Sequence, residues 1–362
     1  MDIETNHKHP QSRDSRQYGI DVARLSAMFM VVLLHNLLQG GVLDWTLDST
    51  KDLMYMTLEN YAIIAVNVFA LISGYLGVGK AFRPTKLIRL WVAAFTWSAA
   101  SAIFGLCIGT QVDSWFYWSF FPVLGQSYWY FNSFILLELF VPILNAAVEK
   151  LKSRDLLSLA FGMVVVSVIL GFPNGLGMGG GYSAIWLIIL WLAGASIRLN
   201  YDLISERISS KRLFFACIFI PLISTYFEFE YHRRGMDPGQ WISYVSPLVS
   251  IQSVCFFLLV ARIKITNGSV RALLKFFSPS AFGVYLIDNS NWFYRIWLAG
   301  RFNWILGFHS YYGVPIILLI SAVMFICFLL AETVRIKLFN KLTEKTKIIV
   351  KHCNKRKAIK TI

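Results

Sequence analysis

Apolar stretches of about 20 residues alternate with short polar segments along almost the whole chain. An α-helix needs about 20 mainly apolar residues to cross the hydrocarbon core of a bilayer. The pattern therefore predicts ten membrane-spanning helices and no separate soluble domain. The predicted spans are 22–41, 60–79, 87–109, 127–148, 156–172, 179–199, 213–231, 241–261, 279–299 and 313–332.

Composition supports a membrane protein. Of the 362 residues, 56% are hydrophobic, 16% are aromatic and only 15% are charged. A typical soluble domain has about 25% charged residues. This chain has too few charges to cover a globular surface, which excludes the soluble enzymes. We predict an all-α, polytopic bundle of about ten transmembrane helices.

The basic residues are distributed unevenly. Lys and Arg total 34 against 20 Asp and Glu, a net charge of +14. With the N-terminus placed in the cytoplasm, 28 basic residues fall in cytoplasmic segments, five in external loops and one, Arg24, inside the first span. Cytoplasmic loops of membrane proteins are enriched in Lys and Arg. The distribution therefore predicts an even number of spans with both termini in the cytoplasm.

This topology divides the chain into three parts. We predict a cytoplasmic tail at 1–19, a transmembrane domain at 20–334 and a basic cytoplasmic tail at 335–362. The basic run from Lys345 to Lys360 fits either a segment that lies on anionic lipid or a nucleic-acid patch. The topology favours lipid, so we expect no nucleic-acid partner. The five cysteines include no CxxC pair, and we predict neither a disulfide framework nor a metal site.

Ionisable residues inside spans are the first candidates for chemistry, because their burial in a bilayer is costly. They are Arg24, His35, Glu138 and Asp288, with Glu59 near a boundary. Arg24 and His35 lie about three turns apart, on one face of the first helix and about 16 Å apart along its axis. Arg24 can simply extend to the headgroups, and His35 can simply form a packing hydrogen bond. Alternatively, His35 acts as a general base and Arg24 holds a phosphate.

A second basic group stands at the start of the third span. Arg83, Lys86 and Arg89 recur every three residues at the predicted cytoplasmic face. They fit either topological anchoring or a cradle for a phosphorylated cytoplasmic ligand. In the span before them, Ser73-Gly74 is compatible with close helix packing.

The external half of the chain is rich in aromatic residues, at 113–121 and 128–131. An interfacial aromatic belt explains most of them, and stacking on sugar rings is a less favoured use. The ninth span is too polar to face lipid, so we expect it to line a cavity. Its polar residues are Ser280, Tyr285, Asp288, Asn289 and Asn291.

Five elements, in order, resemble the acyltransferase-3 family of integral membrane O-acyltransferases. The resemblance spans almost the whole chain. Two residues depart from the family pattern: Asp288 stands where many relatives have His, and Lys86 stands where the basic pair begins with Arg. The elements are Arg24-x10-His35, Val68-Phe69 through Ser73-Gly74-Tyr75-Leu76, Lys86-Leu87-Ile88-Arg89, Tyr128-Trp129-Tyr130-Phe131 through Pro142-Ile143-Leu144-Asn145, and Ser280 through Ile287.

The resemblance implies transfer of an acyl group, usually acetyl, from cytoplasmic acyl-CoA to a hydroxyl of a glycan or lipid-linked sugar at the outer side. It implies a multi-pass protein of the bacterial inner membrane, with polysaccharide-assembly proteins as partners. His35 would deprotonate the acceptor or carry the acyl group itself, and Glu138 or Asp288 would orient its imidazole. The acyl-CoA donor would bind to Arg24, Arg83, Lys86 and Arg89.

Two other classes of function remain open at this stage. One is a transporter or flippase for a lipid-linked glycan or a small anion, which ten spans and a polar ninth helix would suit. The other is a non-enzymatic membrane partner or assembly subunit, which would leave the shared face of Arg24 and His35 without a role.

Overall fold

The computed structural model describes residues 16–43, 50–125, 128–172 and 177–359, and the side chains of 16–43, 53–125, 128–172 and 177–343. Every regular element within these ranges is a helix, which confirms the predicted all-α class. The α-helices are α1 (Tyr18–Leu38), α2 (Thr50–Ala62), α3 (Ala65–Gly77), α4 (Pro84–Cys107), α5 (Ser114–Trp118), α6 (Trp129–Lys150), α7 (Ser153–Gly171), α8 (Ala184–Leu199), α9 (Tyr201–Arg207), α10 (Ser210–Arg233), α11 (Pro247–Ala261), α12 (Gly268–Phe277), α13 (Ala281–Asp288) and α14 (Ser310–Ile359).

Eight helical segments of the described chain are long and apolar enough to cross a membrane. Helices α8 and α9, which meet at an angle of 79°, form a ninth candidate together, and α11 is a shorter apolar helix. Each of the ten predicted stretches therefore has a helical counterpart, and the molecule is a polytopic helix bundle. The eight segments are α1, Leu53–Gly77, α4, α6, α7, α10, Gly268–Asp288 and Ser310–Thr343.

The ninth span differs from its predicted position at 279–299. The spanning segment is Gly268–Asp288, and a short π-helical turn at Phe293–Trp297 follows it. The helical segment begins earlier than predicted and includes Arg271, whose guanidinium lies over the Tyr18 ring. The prediction also ended too late, because the hydroxyl of Ser290 bonds to the Ile287 carbonyl and competes with continued helix.

Helix α14 is longer than the predicted tenth span, which ended at residue 332. Glu332 and Arg335 lie one turn apart and form an ion pair, so these charges do not end the helix. The helix continues to Ile359.

Helix α1 lies at the centre of the bundle, in contact with α2, α3, α11, α13 and α14. Ala23, Ala27, Val32 and Leu37 are fully buried along its length. A helix that is apolar on all sides is typical of a buried central position. Because lipid and packed side chains offer no water, polar groups on such a helix bond to neighbouring helices.

Helices α3 and α8 pack closely through two glycines. The Gly74 backbone lies against the carbonyl group of Trp191, and Gly194 lies against that of Leu71, with no room for a Cβ at either position. The Ser73-Gly74 pair is therefore a packing element, as its small residues indicated.

Candidate active site

His35 and Asp288 form a direct pair at the end of α1. Nδ1 of His35 lies 2.6 Å from Oδ2 of Asp288, the last residue of α13. The aspartate side chain is completely buried, and the imidazole is 18% exposed. A carboxylate that accepts the Nδ1 proton fixes the ring and its tautomer, so the lone pair lies on Nε2. This arrangement suits a general base or a nucleophile.

The His35–Asp288 pair is enclosed by its surroundings. Among the residues that the structure describes, none bonds to Oδ1 of Asp288. The ring of Tyr294 covers the imidazole edge-on, with the two ring centroids 4.9 Å apart.

Glu138 lies against a different partner. Its Oε1 is 2.6 Å from Nζ of Lys86. Sequence analysis left Glu138 and Asp288 as alternatives for orienting the imidazole, and the structure places Asp288, rather than Glu138, at His35. Glu138 instead fixes a lysine of the predicted donor site, a contact that no sequence spacing indicated.

Arg24 belongs to a polar network at the other end of α1. Its Nη1 donates to Oγ of Ser278 at 2.9 Å and lies 3.8 Å from Oδ1 of Asp21. The Ser278 hydroxyl donates to the same Asp21 oxygen at 2.6 Å, and Arg16 contacts both oxygens of that carboxylate. Asp21 therefore bonds mainly to Arg16 and Ser278, and it compensates only part of the Arg24 charge.

Arg24 and His35 contact the two ends of one neighbouring segment. Arg24 bonds to Ser278 and His35 pairs with Asp288, and ten residues of helix span about 15 Å. The two contacts show that the residues share one face of α1, as their spacing predicted. They also show that α1 and the 278–288 segment run in the same direction, as expected of two odd-numbered spans.

The other polar residues of the predicted ninth span hold helices together. Ser280 bonds to Thr333 of α14 at 2.8 Å, and Asn291 bonds to Ser119 at 3.2 Å. The segment does line a cavity, through Pro279, Phe282, Gly283 and Leu286, but Ser280 and Asn291 bond to neighbouring elements instead. A sequence pattern can show that a helix is too polar to face lipid. It cannot show whether the polar side chains bond to neighbouring helices or form a binding site.

A cavity of about 530 Å³ lies between α4, the 278–288 segment and α14. Arg83, Lys86 and Arg89, the three predicted basic residues, all line it. Neither Arg83 nor Arg89 forms an ion pair with any residue in the described ranges. The other lining residues are Thr85, Leu90, Ala93, Pro279, Phe282, Gly283, Leu286, Glu332, Arg335, Ile336, Phe339 and Asn340.

The basic groups form one electrostatic cluster. Partial burial and, after it, the charges of Lys86, Arg198, Arg24 and Arg83 lower the pKa of Lys80. Lys80 and Arg198 were not predicted as site residues, although both were counted among the cytoplasmic charges. We call the face of the bundle that carries Arg24, Lys80, Arg83, Lys86 and Arg89 the basic face.

Aromatic rings gather at the opposite face, where α6 begins. Trp129 lies 4.5 Å from Tyr182 and 5.8 Å from Tyr244, measured between ring centroids. Burial, and then the nearby phenol of Tyr182, raises the pKa of Tyr244, so this phenol stays neutral. By contrast, Tyr117 is 65% exposed, as expected of an interfacial belt. Trp129 is thus packed among other rings, whereas Tyr117 is exposed.

Glu59 is completely buried beside Glu228. Asn60 donates a hydrogen bond to Glu228. The pair contacts neither His35 nor the basic cavity among the contacts of the described residues. More generally, the described residues contain no group of three or more His, Cys, Asp or Glu that is arranged to hold a metal ion.

Comparison with known families decides the class of protein. The sequence profile of the family Acyl_transf_3, an acyltransferase domain, matches residues 17–332. The chain belongs to this acyltransferase family. The match covers every candidate residue from Arg24 to Asp288, and it identifies the bundle as an integral multi-pass membrane acyltransferase. No curated protein and no solved structure matches the chain.

Proposed function

We propose that this membrane acyltransferase moves an acyl group, usually acetyl, from cytoplasmic acyl-CoA to a hydroxyl of a glycan or lipid-linked sugar at the outer side of a bacterial inner membrane. The observation that carries the proposal is the placement of the His35–Asp288 pair at the far end of α1 from the basic cluster. One end of the helix suits a polyanionic donor, and the other presents a buried base.

We place the donor in the cavity between α4, the 278–288 segment and α14, which is lined by Arg83, Lys86 and Arg89 and is called the donor cavity below. Its apolar wall includes Phe282, Gly283 and Leu286. Leu286 precedes Asp288 by two residues, about 3 Å along the helix axis. Neither His35 nor Asp288 lines the cavity, and residues two apart on a helix do not share a face. The proposed transfer therefore requires the acyl group to pass from the cavity around α13 to His35.

Nε2 of His35 is the reacting atom of the protein. In direct transfer, Nε2 takes the proton of the acceptor hydroxyl while the hydroxyl oxygen attacks the thioester carbon. The carbon–sulfur bond then breaks, and the thiolate receives the proton from Nε2, so the products are the ester and free coenzyme A. In the two-step alternative, Nε2 attacks the thioester carbon, the carbon–sulfur bond breaks and coenzyme A leaves as the thiolate. The acceptor oxygen then attacks the acyl carbon, the carbon–Nε2 bond breaks, and the hydroxyl proton passes to the thiolate. Asp288 stabilises the imidazolium in either case.

The test is transfer of radiolabelled acetyl from acetyl-CoA to surface glycan in membranes with matched amounts of protein. We expect transfer by the wild-type chain, its loss in His35→Ala, and reduced transfer at limiting acetyl-CoA in Arg24→Ala. Full activity in both variants would contradict the proposal. A transporter or flippase would yield no labelled ester even in the wild-type membranes.

A further inference from the structure

One arginine of the donor cavity lies outside every predicted motif. Arg335 stands on α14, about 250 residues after the basic loop in sequence, yet lines the same cavity as Arg83 and Arg89. We propose that Arg335 binds a phosphate of the nucleotide part of the donor, and that Glu332 is the positioning residue that directs it. This inference rests on the proposed use of acyl-CoA.

Glu332 holds Arg335 in a two-point contact. Nε of Arg335 donates to Oε2 of Glu332 at 2.7 Å, and Nη2 donates to Oε1 at 2.5 Å. This fork geometry fixes the plane of the guanidinium. The two bonds use Nε and Nη2, so Nη1 keeps its two protons for a ligand.

Two other helices hold Glu332 itself. The indole nitrogen of Trp97 on α4 donates to Oε2 of Glu332 at 2.6 Å. The carboxylate lies directly on the backbone of Gly283 in α13, where a Cβ would occupy the same space. The Glu332 side chain is 4% exposed. The three helices that wall the cavity thus meet at this carboxylate, and they orient Arg335 before any ligand arrives.

Burial makes Arg335 different from the other cations of the cavity. Its side chain is 16% exposed, whereas Lys86 is 52% exposed and Arg83 and Arg89 are also exposed. Glu332 compensates part of this charge, so the advantage of Arg335 is a donor group already fixed in direction, which loses little side-chain freedom when an anion binds. We therefore expect one contact with Arg335 to contribute more to donor binding than one contact with an exposed cation.

The next turn of α14 indicates which part of the donor lies here. Phe339 and Asn340 continue the cavity wall beyond Arg335. An aromatic ring stacks on a nucleobase of any identity, and an amide can bond to its edge. A phosphate-binding arginine followed by these two side chains suits the phosphorylated nucleoside end of coenzyme A, while the apolar α13 wall suits the pantetheine arm.

The competing explanation is a purely structural ion pair within α14, whose carboxylate joins α14 to α4 through the Trp97 indole. A structural role predicts that loss of Arg335 lowers stability and affects every donor equally. A phosphate-binding role predicts an effect that depends on the phosphates of the donor. Donor analogues therefore separate the two explanations.

The experiment measures binding and turnover by the purified full-length protein in detergent. Equilibrium binding of labelled acetyl-CoA needs no acceptor, and KM is measured for acetyl-CoA and for acetyl-pantetheine, which has no phosphate. Arg335→Gln should weaken acetyl-CoA binding about tenfold and leave KM for acetyl-pantetheine unchanged. Glu332→Gln should have a smaller effect in the same direction, and Arg335→Lys should restore part of the affinity because it keeps the charge without the fork.

Lys337→Gln is the matched control. Lys337 lies two residues away on α14, but its ammonium sits over the Phe276 ring at 4.4 Å and does not line the cavity. Its loss should leave acetyl-CoA affinity unchanged. Unchanged acetyl-CoA affinity in Arg335→Gln, or equal losses for both donors, would overturn the inference. Failure of the wild-type protein to bind acetyl-CoA would instead overturn the proposed function.

Discussion

The two ends of α1 differ in the number and the burial of their charged groups. Around Arg24, several cations share a half-exposed surface and a cavity, and their charges are partly compensated by Asp21 and Glu138. Around His35, one imidazole meets one buried carboxylate under an aromatic ring. The first end has many similar groups, so the loss of one leaves others in place. The second end has no duplicate for either partner.

This difference predicts how each end responds to mutation. Exposed charges act through water and ions, which screen them, so changes at the basic face should alter donor affinity and its salt dependence. Buried groups act directly on the reacting atoms, so changes at the His35 end should alter kcat. The comparison is tested most directly by variants that change KM without changing kcat, or kcat without changing KM.

The largest expected effect is that of His35→Ala. Removal of the base should lower kcat about 1,000-fold, within the range that general acid–base groups contribute. KM for acetyl-CoA should change little, because the basic cluster remains. His309→Ala is the matched control, since His309 is exposed and stacks on Tyr311 away from the pair. A large rise in KM without a fall in kcat would mean that His35 binds donor instead.

Asp288→Asn should have the next largest effect. The amide keeps the shape of the side chain but cannot stabilise an imidazolium, and partners that orient a histidine typically contribute about 10–100-fold. We expect kcat to fall by about that factor at constant KM, measured in steady-state kinetics with saturating acceptor.

Glu138→Gln is the comparison variant for Asp288→Asn, because Glu138 contacts Lys86 instead of His35. It should leave kcat close to that of the wild type and change KM for acetyl-CoA by a small factor. If Glu138→Gln lowered kcat as much as Asp288→Asn, the two ends of α1 would not be functionally separate.

Arg83→Gln and Arg89→Gln should each raise KM for acetyl-CoA about three- to tenfold and leave kcat unchanged, because one charge-assisted contact of several is lost. The double variant should raise KM further and reduce the dependence of KM on ionic strength. Kinetics at low and high salt would check both effects. A fall in kcat at saturating donor would show that these arginines act on the chemistry itself.

The sequence contained enough information for the fold class and for the central helix. Ten apolar stretches predicted the bundle, and the spacing of Arg24 and His35 placed them on one face, since both properties depend only on local periodicity. The segment Gly268–Asp288 was harder. Its charged and polar ends hid its true limits, because Arg271 finds an aromatic partner that no local pattern reveals.

The pairing of the site residues required tertiary structure. Asp288 and Glu138 were equally plausible partners of His35 in sequence, since each is a lone acid within a span. Only packing separates them, because α13 lies beside α1 and Glu138 faces the third span.

Sequence analysis assigned Arg335 to the cytoplasmic tail, because local sequence does not show which residues pack together. A basic residue just after a span is normally an anchor, and its place in the cavity depends on a carboxylate held by two other helices.

The smallest predicted effect concerns Lys80 and pH. Burial and neighbouring cations lower its pKa, so Lys80 loses its charge at a lower pH than an ordinary lysine. A bound polyanion favours the charged form, so donor affinity should fall as the pH rises through that lowered pKa. Lys80→Arg keeps the charge at all accessible pH values and should remove this alkaline decline, while affinity at neutral pH stays within about twofold. Binding of labelled acetyl-CoA between neutral and alkaline pH measures the difference. An identical decline in both proteins would assign it to another group, and would mean that Lys80 lies too far from the bound donor to respond to it.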